Sequence, residues 1–209
     1  MKALILYLKE VPHTLESAKK AKESAEMFNV DAKLYAGYVP SRANAYIKEH
    51  KLGFYDPGPK LYKIKNKKGG VRGCMISHLT MWEEVVHRNE TTIIMEHDAI
   101  MVSSTWDQPF DDVLHLDAHR FDIDHDAGTE PQVVQWTYER KGEIQFKGTY
   151  GYVIKPHAAQ KLIDAAYTDG ITASDMFMKQ RYINLQLAKP RAVYVASKQS
   201  LSSDRDFDM

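Results

Sequence analysis

The sequence predicts an α/β protein with a mainly parallel central sheet, and three observations in its first 38 residues carry this prediction. Residues 3–8 form a continuous apolar run, as expected for a strand that is buried on both faces. Residues 14–29 have a helical pattern of small apolar residues, and residues 32–38 predict a second strand. A strand, a helix and a strand at this spacing form a βαβ unit, which is expected to be right-handed and to open a parallel sheet.

The rest of the chain continues this alternation of helices and strands. Apolar residues at helical spacing predict a helix that begins near Gly73: Met75, Leu79, Trp82 and Val86. Further strands are predicted at 91–98, 121–123, 133–136, 143–146, 150–154, 185–187 and 193–195. Further helices are predicted at 43–51, from Pro156 to Gly170, and from Asp175 onwards. Residues 53–70 are predicted to be irregular.

Length and composition predict one domain over residues 1–209 with a polar tail at about 197–209. A content of 44% hydrophobic residues suffices for one sizeable core in 209 residues. The 28 basic and 28 acidic residues cancel, which gives no overall field to attract nucleic acid or an anionic membrane. The single cysteine, Cys74, cannot form an internal disulfide, and no apolar run reaches membrane-spanning length. We therefore expect a cytoplasmic protein with no transmembrane segment and no nucleic-acid partner.

Two acidic residues end the strand predicted at 91–98. Side-chain alternation places Glu96 and Asp98 on one face of this strand and His97 on the other. In an open α/β sheet, ligands bind where the strands end, and paired carboxylates there suit Mg²⁺ or Mn²⁺ carrying a phosphate. The helix that begins near Gly73 adds free backbone N–H groups, which favour an anion. The alternative is that both acids only cap a loop.

A longer pattern joins this helix to the strand end. It consists of Gly73, Cys74, Ser77, His78, Leu79, Trp82, Glu96, Asp98 and Ala99. In these residues the chain resembles glycosyltransferase family 25, which contains lipopolysaccharide-biosynthesis enzymes and collagen galactosyltransferases. His97 stands where the family usually has an aspartate. Weaker likeness continues through residues 121–123 and 148–154, Ala158, Leu162 and Asp175.

The resemblance implies a single-domain, GT-A-like nucleotide-sugar transferase fold and a metal-dependent enzyme. It would move a sugar from a nucleotide-sugar donor, suspected to be a UDP-sugar, to a hydroxyl of a glycan or other acceptor, with inversion. The suggested ligands of Mn²⁺ or Mg²⁺ are Asp98, Glu96 and His97, and the suggested catalytic base is Asp175. The suggested substrate-binding residues are Ser77, His78, Arg72, Glu96, Gly148 and Thr149.

Several interpretations of these residues remain open. Ser77 and His78 could contact substrate, or could only cap the helix and fill the core. The lysines of residues 53–70 could form a solvated surface, or a lid that brings a lysine or Arg72 onto a phosphate. By alternation His97 could pack in the core, and a bend at the strand end could make it a ligand instead.

Two other function classes compete with an active transferase. The sequence has no arginine before Arg42, no histidine after His157, and His97 in place of an aspartate. His97 and the missing arginines favour a protein of the same fold that binds a nucleotide or glycan without turning it over. The run from Asp111 to Asp126 contains His115, His119 and His125 among acids, which would suit a metal-dependent hydrolase or nuclease. Strand alternation would separate those side chains, which favours a structural role for the run.

Overall fold

A seven-stranded mixed sheet with helices on both faces organises the protein. The computed structural model describes residues 1–58, 60–117, 130–140 and 142–195. The helices are α1 (Pro12–Glu26), α2 (Pro40–Glu49), α3 (Lys60–Lys67), α4 (Gly69–Arg88), α5 (Pro156–Thr168) and α6 (Ser174–Phe177). The strands are β1 (Lys2–Tyr7), β2 (Asp31–Ala36), β3 (Thr92–Met95), β4 (Ala99–Met101), β5 (Val113–His115), β6 (Gln132–Gln135), β7 (Glu139–Arg140), β8 (Glu143–Ile144), β9 (Gly151–Ile154), β10 (Leu185–Lys189) and β11 (Val193–Val195).

The order of strands in the main sheet is β2-β1-β3-β9-β5-β10-β6. Strands β2, β1 and β3 are parallel, as are β5 and β10, whereas β9 and β6 run in the opposite direction. Five of the seven strands therefore point the same way. The parallel pairing of β1 with β2 confirms the pairing predicted for the N-terminal βαβ unit. The short strands β4 and β11 form a separate antiparallel pair, as do β7 and β8.

Alternating side chains of β1 divide the core into two layers. Ala3 and Ile5 join an apolar cluster that includes the alanines of α1. Leu4 and Leu6 join a second cluster, which contains the apolar faces of α2, α4 and α5. Both faces of the strand are thus covered, which explains why the sequence of β1 is continuously apolar. The hydrophobic effect of these two layers fixes the sheet between α1 on one side and α2, α4 and α5 on the other.

Residues 53–70 are not irregular throughout, because α3 lies within them. The helix is held by Tyr62, which is buried and donates a hydrogen bond of 2.7 Å to Glu143. Tyr55 also donates to Glu143, and Lys179 forms an ion pair with the same carboxylate at 3.0 Å. These partners are distant in sequence, so the lysine-rich composition of the segment gave no sign of them. The predicted solvated face is present at Lys60 and Lys63, whose side chains are exposed.

The strand predicted at 91–98 is shorter than expected, since β3 ends at Met95. Residues after Met95 make a turn in which the Ala99 N–H donates to the Glu96 carbonyl at 3.1 Å. The strand predicted at 121–123 and the tail at 197–209 lie outside the described residues. None of the helices in the described ranges is long and apolar enough to cross a membrane.

Candidate functional site

A pocket lies at the carboxyl ends of the parallel strands β1, β2 and β3. Its walls include Tyr7 at the end of β1, Tyr38 after β2, and Glu96, His97 and Asp98 after β3. Loops that follow neighbouring parallel strands meet at one edge of the sheet, which is where open α/β sheets bind ligands. The position predicted for the site from the strand-end acids is therefore the position of this pocket.

Three helices begin at the wall of this pocket. Val11 precedes α1, Val39 precedes α2, and Gly70 lies in the first turn of α4; all three residues line the pocket. None of these three helices has a side-chain hydrogen bond at its N-cap. The first turn of a helix has N–H groups without partners in the helix and the positive end of the helix dipole. The helix ends thus supply partial positive charge to a pocket that is also lined by the acidic side chains of Glu10, Glu96 and Asp98.

Close packing of α4 against the loop after β2 shapes one side of the pocket. A Cβ atom at Gly73 would lie 2.5 Å from the carbonyl oxygen of Tyr38, so only glycine fits there. The Ser77 hydroxyl donates to the Gly73 carbonyl at 2.7 Å and accepts the Tyr38 N–H at 2.8 Å. Ser77 also lines the pocket. Ser77 therefore joins the helix to the loop and also lies where a ligand could contact it. Its position is compatible with both the structural role and the substrate contact considered for this residue.

The acidic residues of the pocket lie in a turn that follows β3 and not in the strand itself. Glu96, His97 and Asp98 all line the pocket, and Asp98 is only 6% exposed. The predicted alternation, with His97 facing away, is wrong because the chain leaves the extended conformation after Met95. Two carboxylates and an imidazole are thereby brought to one cavity by three consecutive residues.

A buried hydrogen-bonded network holds Glu96. The Thr149 hydroxyl donates to Glu96 Oε1 at 2.8 Å and contacts the Ser174 hydroxyl at 3.0 Å. The Ser174 hydroxyl in turn lies 3.4 Å from Cys74 Sγ. These contacts join the turn after β3, the segment before β9, α6 and α4. Thr149, predicted to bind substrate, thus acts on the pocket through Glu96.

The other side of Glu96 meets His78. His78 is fully buried, and its Nε2 lies 3.5 Å from Glu96 Oε1. Its Nδ1 lies 2.7 Å from the Tyr152 hydroxyl, which also accepts a hydrogen bond of 2.9 Å from Trp82 Nε1. His78 is not among the residues that line the pocket. Its position supports the structural interpretation, in which the imidazole is a buried partner of an acid in the site.

The charges of the pocket follow from these contacts. Burial raises the pKa of Glu96, but His78 and the hydrogen bond from Thr149 lower it more, so this pKa lies below its ordinary value. Burial lowers the pKa of His97, which keeps the imidazole neutral near pH 7. The turn therefore offers an ionised carboxylate beside a neutral imidazole.

The turn is suited to a divalent ion. His97 Nδ1 is buried and makes no hydrogen bond to the described residues. A neutral imidazole and carboxylate oxygens are ligands that Mn²⁺ accepts, and the carboxylates also suit Mg²⁺. The residues present therefore fit the predicted ion, with Asp98, Glu96 and His97 as its candidate ligands.

The remaining predicted site residues lie away from the lining of the pocket. Arg72 donates to the carbonyls of Asn66 and Lys67, at 3.0 and 3.3 Å, and so joins the end of α3 to α4. Gly148 has a positive φ of 95°, and its carbonyl accepts a hydrogen bond from His115. Asp175 lies in α6, next to the Ser174 that contacts Thr149.

The histidine-rich run predicted as an alternative metal site is only partly within the described residues. His115 is fully buried in β5, where Nε2 lies 3.0 Å from the Gly148 carbonyl and Nδ1 accepts the Asp117 N–H. Both ring nitrogens of His115 are therefore used in the core. His119, His125 and the acids between them lie outside the described residues.

Sequence reasoning missed the aromatic and polar residues that complete the pocket. Tyr7, Tyr38 and Tyr150 line the pocket, as does Glu10. Glu10 lies 3.5 Å from Arg42, whose guanidinium stacks over the Tyr38 ring. The apolar runs that precede Tyr7 and Tyr38 gave the only signal, since residues that directly follow parallel strands face this edge of the sheet.

Comparison with known proteins gives one positive result. No curated protein matches the chain. Residues 59–178, more than half of the chain, match the family described as "Glycosyltransferase family 25 (LPS biosynthesis protein)". The matched range contains α4, the acidic turn, Thr149 and Asp175. The protein therefore belongs to glycosyltransferase family 25, as its helix and strand-end pattern predicted.

Proposed function

We propose that the pocket binds a nucleotide-sugar donor with a divalent ion, and that the protein transfers the sugar to an acceptor hydroxyl with inversion. The observation that carries the proposal is the meeting of three helix N-termini with the Glu96–Asp98 turn in one pocket. A donor of this class has a diphosphate, which needs positive partners, and a sugar whose bond to that diphosphate breaks. The strand order, with most strands parallel, is compatible with the GT-A fold that the family resemblance implies.

In this proposal, the helix N-termini and a metal ion both stabilise the charge of the diphosphate. Helix N-termini stabilise anions through N–H groups and dipoles. An Mn²⁺ or Mg²⁺ ion in this pocket would supply positive charge to neutralise the diphosphate leaving group. Asp98, Glu96 and His97 would hold the ion. Tyr7 and Tyr38 give the pocket aromatic surface for the base of the nucleotide, and a UDP-sugar is the suspected donor.

Asp175 is the proposed base for the acceptor. The acceptor oxygen attacks the anomeric carbon, its proton passes to the Asp175 carboxylate, and the bond from carbon to the diphosphate oxygen breaks. Burial raises the pKa of Asp175 even though Lys65 and Arg140 lower it, and the Glu96 charge raises it further. A carboxylate with a raised pKa is a stronger base, which suits this role.

Donor binding tests the first part of the proposal. We expect a UDP-sugar to raise the melting temperature only when Mn²⁺ is present, because a ligand that binds the native state stabilises it by mass action. Asp98→Asn should remove the Mn²⁺-dependent part of this rise. Matched titrations of other nucleotide sugars would identify the base and the sugar. An equal rise in EDTA and in Mn²⁺ would contradict a metal-dependent donor site.

Turnover tests the second part and separates the transferase from a protein that only binds. Asp175→Asn keeps the shape of the side chain but cannot accept a proton, so transfer should fall by roughly two to four orders of magnitude. Donor affinity should change little. A folded Asp175→Asn protein with normal transfer would exclude Asp175 as the base. Absence of both transfer and donor hydrolysis in the wild-type protein, with a full panel of donors, would favour the binding protein.

A further inference from the structure

We propose that Cys74, His78 and Glu96 form a second site, which binds a soft divalent ion such as Zn²⁺. One ligand atom from each of these residues lies within 4.8 Å of the other two. The site differs from the Glu96–Asp98 turn in its chemistry, because it contains a thiol and an imidazole beside a single carboxylate. The proposal does not depend on the transferase reaction.

The geometry of α4 brings two of the ligands together. Cys74 and His78 are four residues apart in this 20-residue helix, so their side chains lie on one face, a turn apart. Glu96 approaches from the turn after β3. Its Oε1 is 3.5 Å from His78 Nε2, close to the roughly 3.3–3.8 Å that separates two ligand atoms around a tetrahedral zinc ion. The largest separation in the cluster is at most 4.8 Å, so the ligand atoms would need to approach one another by no more than about 1 Å to hold the ion.

His78 is available for this role. Its Nε2 is buried and makes no hydrogen bond by strict geometry to the residues described, although Glu96 lies beside it. Metal ligation through Nε2 requires Nδ1 to carry the proton and donate it to a partner. The Tyr152 hydroxyl, 2.7 Å away, can accept this bond together with the one from Trp82. Such a partner fixes the orientation of a ligating imidazole.

The fourth position of the ion would be open. Cys74 and Glu96 both line the pocket, whereas His78 approaches from the buried side. Three protein ligands with one position open to solvent is a common arrangement for zinc. As the ion binds, the Cys74 sulfur gives up its proton to solvent and becomes a thiolate. Thiolate and imidazole ligands select Zn²⁺ over Mn²⁺ or Mg²⁺.

Both sites use Glu96, which links them. An ion held by Cys74, His78 and Glu96 would take this carboxylate away from the Glu96–Asp98 turn. Binding of Zn²⁺ and binding of Mn²⁺ would then oppose each other. The network from Thr149 to Ser174 to Cys74 would be the metal-free arrangement of the same residues.

Titration of the full chain with Co²⁺ tests the site without reference to activity. Co²⁺ occupies zinc sites, and its bond to a thiolate gives a strong near-ultraviolet absorption band. Because Cys74 is the single cysteine of the chain, such a band can come only from this residue. We expect one Co²⁺ per monomer to produce the band, and Zn²⁺ to abolish it by displacement. No band at saturating Co²⁺, or half an ion per chain from two chains sharing one ion, would overturn the proposal.

Three variants assign the ligands. Cys74→Ser should abolish the band, and His78→Gln should weaken Co²⁺ binding at least about tenfold. Asp98→Asn, which alters the neighbouring turn but none of the three proposed ligands, should keep the band and serves as the matched control. Each variant is first checked for cooperative thermal unfolding. If His78→Gln fails that check, Glu96→Gln replaces it with the same expected loss. Unchanged Co²⁺ affinity and an unchanged band in folded His78→Gln or Glu96→Gln would mean that Cys74 binds the ion without this site, and would overturn the proposal.

Discussion

Removal of the Tyr152 hydroxyl is a sharp test of how the site is supported. Tyr152 is fully buried, and its hydroxyl bonds His78 Nδ1 and Trp82 Nε1 at 2.7 and 2.9 Å. Both partners are themselves fully buried, so Tyr152→Phe leaves two polar atoms that water cannot reach. The volume of the core hardly changes. The variant therefore isolates the hydrogen bonds from the packing of the ring.

The magnitude follows from the cost of an unpaired buried group. Each such group costs roughly 1–3 kcal/mol, and partial relaxation brings the expected total for two groups to roughly 2–4 kcal/mol. For a chain of this size, a loss of that amount lowers the melting temperature by roughly 4–16 °C. Urea unfolding measures the free energy directly, and an unchanged m value would show that both proteins unfold to the same extent.

Tyr194→Phe is the matched control, since it makes the same chemical change at a side chain that is 37% exposed. Its effect should stay within about 0.5 kcal/mol. A double-mutant cycle with Trp82→Phe adds a second check. Trp82→Phe should cost less in the Tyr152→Phe background, because the shared hydrogen bond is already lost. If Tyr152→Phe costs no more than Tyr194→Phe, the hydroxyl does not hold the two buried partners as described.

Three further predictions concern packing, a partly buried ion pair and pH. Gly73→Ala should destabilise the protein by roughly 1–3 kcal/mol, since its Cβ would meet the Tyr38 carbonyl, whereas Gly53→Ala, with open space around its Cβ, should be nearly neutral. Equal urea midpoints for the two alanine variants would count against this close approach. Lys179→Met should cost roughly 1.5–3 kcal/mol, because it removes a charge-assisted hydrogen bond to Glu143, whose carboxylate keeps its bonds from Tyr55 and Tyr62, and Lys2→Met should cost at most about 1 kcal/mol, because its ion pair with Glu90 is exposed. Comparable losses for both lysines would be the contrary result. The pKa of Glu96 is lowered on folding, so the ionised carboxylate stabilises the folded state. This contribution is complete above the ordinary glutamate pKa and is lost as the pH falls through the pKa of the folded state. Glu96→Gln should therefore lose less stability than the wild-type protein in unfolding titrations between about pH 7 and pH 3, and identical acid limbs would refute this.

The sequence predicted the N-terminal βαβ unit well, because the apolar pattern of each of its elements is visible within a short window. The apolar run of β1 and the alanine face of α1 mark the sides that the core covers, although residues of β3, β9 and β10 also contribute to that core. The strands β4 and β5, of three residues each, were missed. Their extended conformation depends on pairing with β11 and with β9 and β10, which lie far along the chain. No window of their own sequence contains that information.

Contacts between residues distant in sequence also explain which parts of the site could not be predicted. The family pattern located α4 and the acids correctly. Alternation then failed for His97, since the turn after Met95 is set by the bond from the Ala99 N–H and not by strand periodicity. The helix α3 was missed because its charged surface dominates its composition. What fixes it is the contact of Tyr62 with Glu143, 81 residues away.

The residues of the family pattern that lie on α4 have structural roles. Cys74, His78 and Trp82 recur every four residues, so they form one row along the buried face of α4. Trp82 and His78 both hydrogen-bond the Tyr152 hydroxyl, and His78 lies beside Glu96. Gly73 and Ser77 pack the start of the helix against the loop after β2. A rotation of α4 about its axis would displace the glycine contact and the support of Glu96 together. The register of one helix thus sets both the wall of the pocket and the position of its acid.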